Sequence, residues 1–402
     1  MKKNLIVGQS GGPTAAINAT LAGVIHAGMN SDKIDTVYGA VNGIEGVLKE
    51  NFANLSETFE NAQELEILKQ TPSAYLGSCR YKLSAEGPDI KKIIEVFKKH
   101  NIGYFCYIGG NDSMDTVYKL KDACREAGIN VIGIPKTIDN DLVGTDHCPG
   151  FGSAAKYIAT TVAEITRDSM CYDLNSVTII EIMGLNAGWL TAASALARLS
   201  GTDSPDLIYL PEVVFDTEEF LAQIKRLVEK KKNVIVAVSE GIKNADGTYV
   251  AEQKRSMNND LFGHSQLGGA GKMLETLIKE RFGYKARSIE LNTPQRCAAH
   301  VASETDISES FGIGSAGARA VIAGESGKMM CYHRKDAKDY QIEFVAQDIS
   351  KIANEEKKVP AEFISPSGTD VTEAFVDYAY PLIQGERNIV YRHGIPVHAF
   401  RK

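Results

Sequence analysis

Residues 104–141 read YFCYIGGNDSMDTVYKLKDACREAGINVIGIPKTIDND, and this stretch decides the fold. The apolar run Tyr104 to Ile108 predicts a strand, Gly109-Gly110-Asn111-Asp112-Ser113 a loop, and the next residues a helix from about Ser113 to Ala127. Asn130 to Ile134 is a second apolar run, and Pro135-Lys136-Thr137-Ile138-Asp139-Asn140-Asp141 a tight, Pro-started turn. Two strands joined by one crossover helix are parallel, so both loops leave carboxyl ends of the same sheet, the edge where open α/β sheets bind ligands. The second loop holds Lys136, Asp139 and Asp141 within six residues. One carboxylate can take a proton while the cation stabilises the charge that moves, which suits chemistry on a polyanion. A solvated Asx-type turn is the plainer alternative for this loop taken alone.

The same alternation extends in both directions. Leu5-Ile6-Val7 leads into the glycine-rich loop Gly8-Gln9-Ser10-Gly11-Gly12-Pro13-Thr14 and a helix predicted over 14–29. Backbone N–H groups at such a turn can approach a phosphate, although a tight βα turn needs no ligand. Ile90, Ile93, Ile94 and Phe97 have helical spacing. Val177 to Ile182, Leu207 to Leu210 and Val234 to Val238 read as strands, and Asp216-Thr217-Glu218-Glu219 as a capping box opening a helix. The predicted fold class is α/β with mostly parallel sheets, and two successive halves of similar pattern suggest two domains.

Asn111 and Asp112 could cap the helix that follows, offer oxygen ligands to a Mg²⁺ that bridges phosphates, or do both. Gly150-Phe151-Gly152-Ser153 opens a further helix and is read as another anion cradle. Gly312-Ile313-Gly314-Ser315-Ala316-Gly317 matches a dinucleotide-binding pattern by letter, but no apolar strand precedes it. Gly324-Glu325-Ser326-Gly327-Lys328 fails the spacing of a P-loop, which speaks against a Walker-type ATPase.

The chain has 402 residues and a formal net charge of -7. The length favours two domains, and the charge disfavours nucleic acid or an anionic membrane as partner. Seven cysteines are scattered without C-x-x-C or zinc spacing, as in a reduced cytoplasmic protein. No run approaches the roughly 18 apolar residues of a membrane span, and no signal peptide precedes the first strand.

Taken in order, these residues resemble the phosphofructokinase family over most of residues 1–325. The likeness rests on Ser10-Gly11-Gly12, Leu76-Gly77-Ser78-Cys79-Arg80, Gly109 to Ser113, Pro135 to Asp141 and Pro149 to Ser153. Met183-Gly184, Ala187-Gly188, Glu240-Gly241, Arg287 and Gln295-Arg296 complete it. The resemblance implies two similar three-layer α/β domains with the active site in the cleft between them, the first over 1–145 binding the phosphate donor and the second over 146–290 the sugar phosphate. A return segment over 291–402 would carry peripheral additions, and the charged, weakly periodic stretch 328–358 reads as one of them. It further implies that Asp139 is the base acting on the sugar 1-hydroxyl, and that Gly12 and Arg80 contact the donor phosphates. Asn111 and Asp141 would lie at Mg²⁺. Thr137, Ile138, Met183, Gly184, Leu185, Glu240, Arg287, Thr293 and Arg296 would surround fructose 6-phosphate, the arginines matching its phosphate as a fork. A cytoplasmic homo-oligomer, dimer or tetramer, is expected.

Members that use ATP have glycine where this chain has Asp112 and Lys136; members that use pyrophosphate have Asp and Lys there. A carboxylate at 112 in the region of an ATP α-phosphate, about 4 Å away, would repel it by roughly 4 kcal/mol at an effective dielectric near 20. That is about a thousandfold in affinity. Lys136 would supply cation to the transferring and leaving phosphates. The chain departs from the family at Leu185, where an arginine is usual, at Asn111 for Asp, and at Thr293 for Tyr or His. An ATP-dependent enzyme and a phosphate-sensing paralogue without turnover remain the alternatives. A nicotinamide-nucleotide kinase is disfavoured, since it would not need the sugar residues of the second domain.

Overall fold

A computed structural model describes residues 2–85, 87–251, 269–352 and 355–401. Its larger sheet is built on β1 (Lys3–Gln9), β2 (Ile34–Ala40), β3 (Phe52–Asn54), β4 (Ile102–Gly109) and β5 (Asn130–Pro135). The second holds β6 (Ser176–Ile182), β7 (Leu207–Tyr209), β8 (Asn233–Ser239) and β9 (Lys285–Glu290) in the order β7-β8-β6-β9, all parallel. Two α/β domains therefore stand in one chain.

The segment 328–358 is not a peripheral addition. β10 (Lys328–Arg334) pairs with β5 in parallel, and β11 (Ile342–Asp348) closes the edge in antiparallel, giving the order β11-β10-β5-β4-β1-β2-β3. Its charged residues misled because an edge hairpin has one solvated face: Met329, Met330, Cys331 and Tyr332 are buried, while most of β11 is only half-buried. β1, β4 and β5 by contrast lie at the centre of the sheet, and their near-continuous apolar runs are those of strands covered on both faces.

Helix Ile17–Met29 begins three residues later than its pattern suggests, because Thr14 Oγ1 accepts from the N–H groups of Ala16 and Ile17 at 3.2 and 2.9 Å and keeps the loop open. The helix lies against Glu304–Ala323, which contains the glycines 312–317. A Cβ on Gly23 would stand 2.1 Å from the Phe311 carbonyl oxygen, and one on Gly314 would stand 2.1 Å from that of Thr20. These glycines thus serve helix packing, in agreement with the rejection of a nucleotide motif. Among the described residues no helix is long and apolar enough to cross a membrane.

Candidate active site

The helix after β4 runs Asn111–Glu126 with Gly110 as its N-cap, so Asn111 and Asp112 sit in the first turn rather than capping it. Asp112 places its carboxylate at the positive end of the helix dipole. Lys82 Nζ lies 4.0 Å from Asp112 Oδ1. The position that could draw an anion to this helix end is held by the chain's own charge.

The turn after β5 is fastened at both sides. Lys136 N–H donates to the Gly109 carbonyl at 2.9 Å, Thr137 N–H to that of Pro149 at 3.2 Å, and Asp139 N–H to Thr137 Oγ1 at 3.0 Å. Asn140 is buried with φ +56°, a left-handed conformation that asparagine tolerates. Its amide donates to Tyr378 Oη at 2.9 Å, and its Oδ1 accepts from Cys148 N–H at 2.9 Å. This side chain is what lets Asp139 and Asp141 flank a bend and face one cleft.

A cleft of about 280 Å³ is lined by Gly12, Arg80, Asn111, Asp112, Lys136, Thr137, Ile138, Asp139, Asp141, Met183 and Arg296. Lys136 is 2 % exposed and its Nζ donates to the Gly12 carbonyl at 2.5 Å. Burial pulls its pKa down to about 8 against the opposing charges of Asp139 and Asp141. Burial raises the Asp139 carboxyl, with Lys136 and the Thr137 hydroxyl acting in the opposite sense. Asp141 is raised to about 7 by burial and by Asp139 beside it. Arg296 reaches in from beyond β9, such that a Cβ on Gly12 would stand 3.3 Å from its Nη1. Its Nε is buried without a partner among the described residues, a donor suited to an anionic ligand.

The remaining expected residues divide. Glu240 lines an adjoining cavity of about 80 Å³ that shares Met183 with the cleft. Its Oε1 accepts from Gly184 N–H at 3.0 Å, and burial lifts its pKa to about 7. Gln295 Oε1 accepts from Met183 N–H at 3.2 Å, which ties the loop after β6 to the segment bearing Arg296. Leu185 packs its carbonyl against Gly241, and Thr293 is exposed next to Pro294; neither lines the cleft. Arg287 is not brought there either. It stands opposite Thr178, four residues before the end of β6, and pairs with Asp168 at 3.5 Å.

Gly150 and Ser153 are not an anion cradle for a ligand. Their N–H groups donate to the two Asp306 oxygens at 2.9 Å each, so an internal carboxylate fills that helix terminus. Sequence reasoning also missed the segment 355–359, which crosses the cleft's edge. Asn111 Nδ2 donates to the Glu355 carbonyl at 2.8 Å, and Lys357 N–H to that of Asp141 at 2.7 Å. No local pattern marks these residues, since their partners lie more than two hundred positions away.

The family model described as phosphofructokinase matches residues 4–290. The chain is 42 % identical over 402 residues to a pyrophosphate–fructose 6-phosphate 1-phosphotransferase of Methylococcus capsulatus, covering 98 % of this chain and 94 % of the relative. It is 40 % identical to the Halomonas elongata protein of the same name over 98 % of this chain and 94 % of the relative. The crystal structure of a pyrophosphate-dependent phosphofructokinase from Nitrosospira multiformis is similar, with TM-score 0.89 and 37 % identity, covering 99 % of this chain and 96 % of that one.

Proposed function

The chain belongs to the phosphofructokinase family, and on that premise we propose that it transfers phosphate reversibly from pyrophosphate to the C1 hydroxyl of fructose 6-phosphate. The observation that carries the choice of donor is the meeting of Lys136 and Asp112 in one cleft with Gly12 and Arg80. Lys136 supplies a desolvated positive charge where no nucleotide is needed to position the phosphates. Asp112 puts a like charge where a longer donor would continue.

In this reading Asp139 takes the proton from the 1-hydroxyl. Burial raises the carboxyl's pKa and makes it a stronger base, while the Lys136 charge acts in the opposite sense. Thr137 holds the Asp139 backbone, and Arg296 and Glu240 hold the sugar phosphate, with Met183 lining the cleft beside them. Arg80 and Gly12 face the donor. Leu185 and Thr293, which stay out of the cleft, would touch the sugar only after a local shift.

Mg²⁺ fits this site. Burial raises both carboxyls, and the Asp139 charge raises Asp141 further, a repulsion a cation relieves. Among the described residues no three His, Cys, Asp or Glu side chains group closely enough to hold a metal by themselves. Mg²⁺ in such sites takes few ligands from the protein. Asn111 and Asp141 would hold it, and when bound it would neutralise charge on the donor.

Arg287, half-exposed and away from its own cleft, supports a homo-oligomer in which it serves a neighbouring one; light scattering on the purified protein tests this. Free cysteines, five of the seven buried, support a cytoplasmic setting. The deciding assay runs fructose 6-phosphate with pyrophosphate and with ATP in parallel. Robust use of ATP with none of pyrophosphate would sink the proposal.

A further inference from the structure

The segment 355–359 ties together four pieces that the chain separates widely. Glu355 accepts from Asn111, and Lys357 N–H donates to the Asp141 carbonyl. Lys357 Nζ donates to the carbonyls of Thr145 and Asp146 at 3.1 and 2.9 Å and lies 5.0 Å from the centre of the Trp189 ring. Trp189 Nε1 donates to the Lys357 carbonyl at 2.9 Å. Two residues on, Val359 N–H donates to Glu212 Oε1 at 3.0 Å, and the same oxygen accepts from Gly188 N–H at 2.9 Å. The base-bearing turn is thereby joined to the loops after β6 and β7 in the other domain.

A buried ammonium is costly unless each of its donors is engaged, and here two carbonyls and an aromatic face receive it. Those acceptors lie directly downstream of Asp141, so the ammonium fixes the exit of the turn while Asn140 fixes its middle. Polar atoms so placed hold a main chain in one position, and a displacement near 1 Å at reacting groups costs about a hundredfold in rate.

We propose that Lys357 is a positioning residue for phosphoryl transfer: acting through Asp141 and the 145–146 backbone, it holds the Asp139 carboxylate in register with the sugar bound to the other domain. This rests on the assignment of Asp139 as base. A residue that serves only general stability would move the unfolding temperature and leave the kinetics of the surviving folded enzyme unchanged.

The test measures kcat and both KM values of Lys357→Met and Lys357→Gln in the full-length enzyme, with Asp139→Asn alongside. Unfolding temperatures establish that the assays are run on folded protein. The expected result for Lys357→Met is a kcat about 30-fold lower with each KM within about threefold of the unaltered enzyme. Lys357→Gln, which keeps an N–H donor, should recover part of that loss. A kcat within about twofold of the unaltered enzyme, or a loss confined to KM, overturns the inference. If neither Lys357 variant folds, Trp189→Phe decides. It removes the donor to the Lys357 carbonyl, and an unchanged kcat there overturns the inference equally. Asp139→Asn retaining its rate would be a separate failure, that of the base assignment itself.

Discussion

Lys136 and Gly12, 124 residues apart, meet through a 2.5 Å hydrogen bond from ammonium to carbonyl. The bond places the cation beneath the first glycine-rich loop, and burial there draws its pKa down to about 8. The charged form is therefore complete below that pH and lost as pH rises through it. We expect kcat/KM for pyrophosphate, which reports the free enzyme, to fall above pH about 8. The limb in kcat should lie higher, because bound phosphate holds the proton on. Lys136→Arg should remove the limb from the profile; its persistence would assign it to another group.

Asp112→Gly, alone and with Lys136→Gly, tests the donor. The double variant should lose about a hundredfold or more in pyrophosphate turnover, the scale of removing one transition-state charge contact. Relief of the repulsion at 112 should also lower the dissociation constant for ATP, measured by calorimetry. Loss of pyrophosphate use without tighter ATP binding would show that occlusion by Asp112 is not what selects the donor.

Asp139→Asn removes the proton acceptor and keeps the shape. The expected loss in kcat is about 10²–10⁴-fold, with KM for both substrates little changed. Binding titrations with fructose 6-phosphate separate this from a collapsed site.

His147 is buried between Asp146 and Glu309, at 2.8 and 2.9 Å from its two ring nitrogens. Burial disfavours its charge, but the two carboxylates outweigh burial and raise its pKa. A raised folded-state pKa contributes stability that is full below the unfolded value, about 6.5, and is lost as pH rises through the folded value. Chemical unfolding at several pH values should show that decline, and His147→Gln should flatten it. The variant should also cost about 3 kcal/mol at low pH by leaving two carboxylates without their cation.

The strands of the sheet centres and the two loops that leave β4 and β5 were legible in the sequence because each is local. Apolar runs of strand length and Pro- or Gly-marked turns need only neighbouring residues to be read. The role of Gly150 was not, since a helix end receives a ligand or an internal carboxylate depending on what Asp306, 156 positions away, does. Likewise Arg287 and Arg296 are equally basic by letter, and only the register of β6 with β9 separates them. Lys357 was invisible for the same reason: its meaning lies in carbonyls it does not neighbour.

Placing β10 beside β5 has a consequence for biosynthesis. The strand emerges from the ribosome some two hundred residues after its partner, about 10–40 s later at ordinary elongation rates. Throughout that interval β5 has no neighbour on one side, and the helix at Ile17–Met29 lacks the glycine-lined surface it packs against. The turn proposed to carry the base follows β5 directly, and its hydrogen bond from Lys357 waits until the last quarter of the chain has been made.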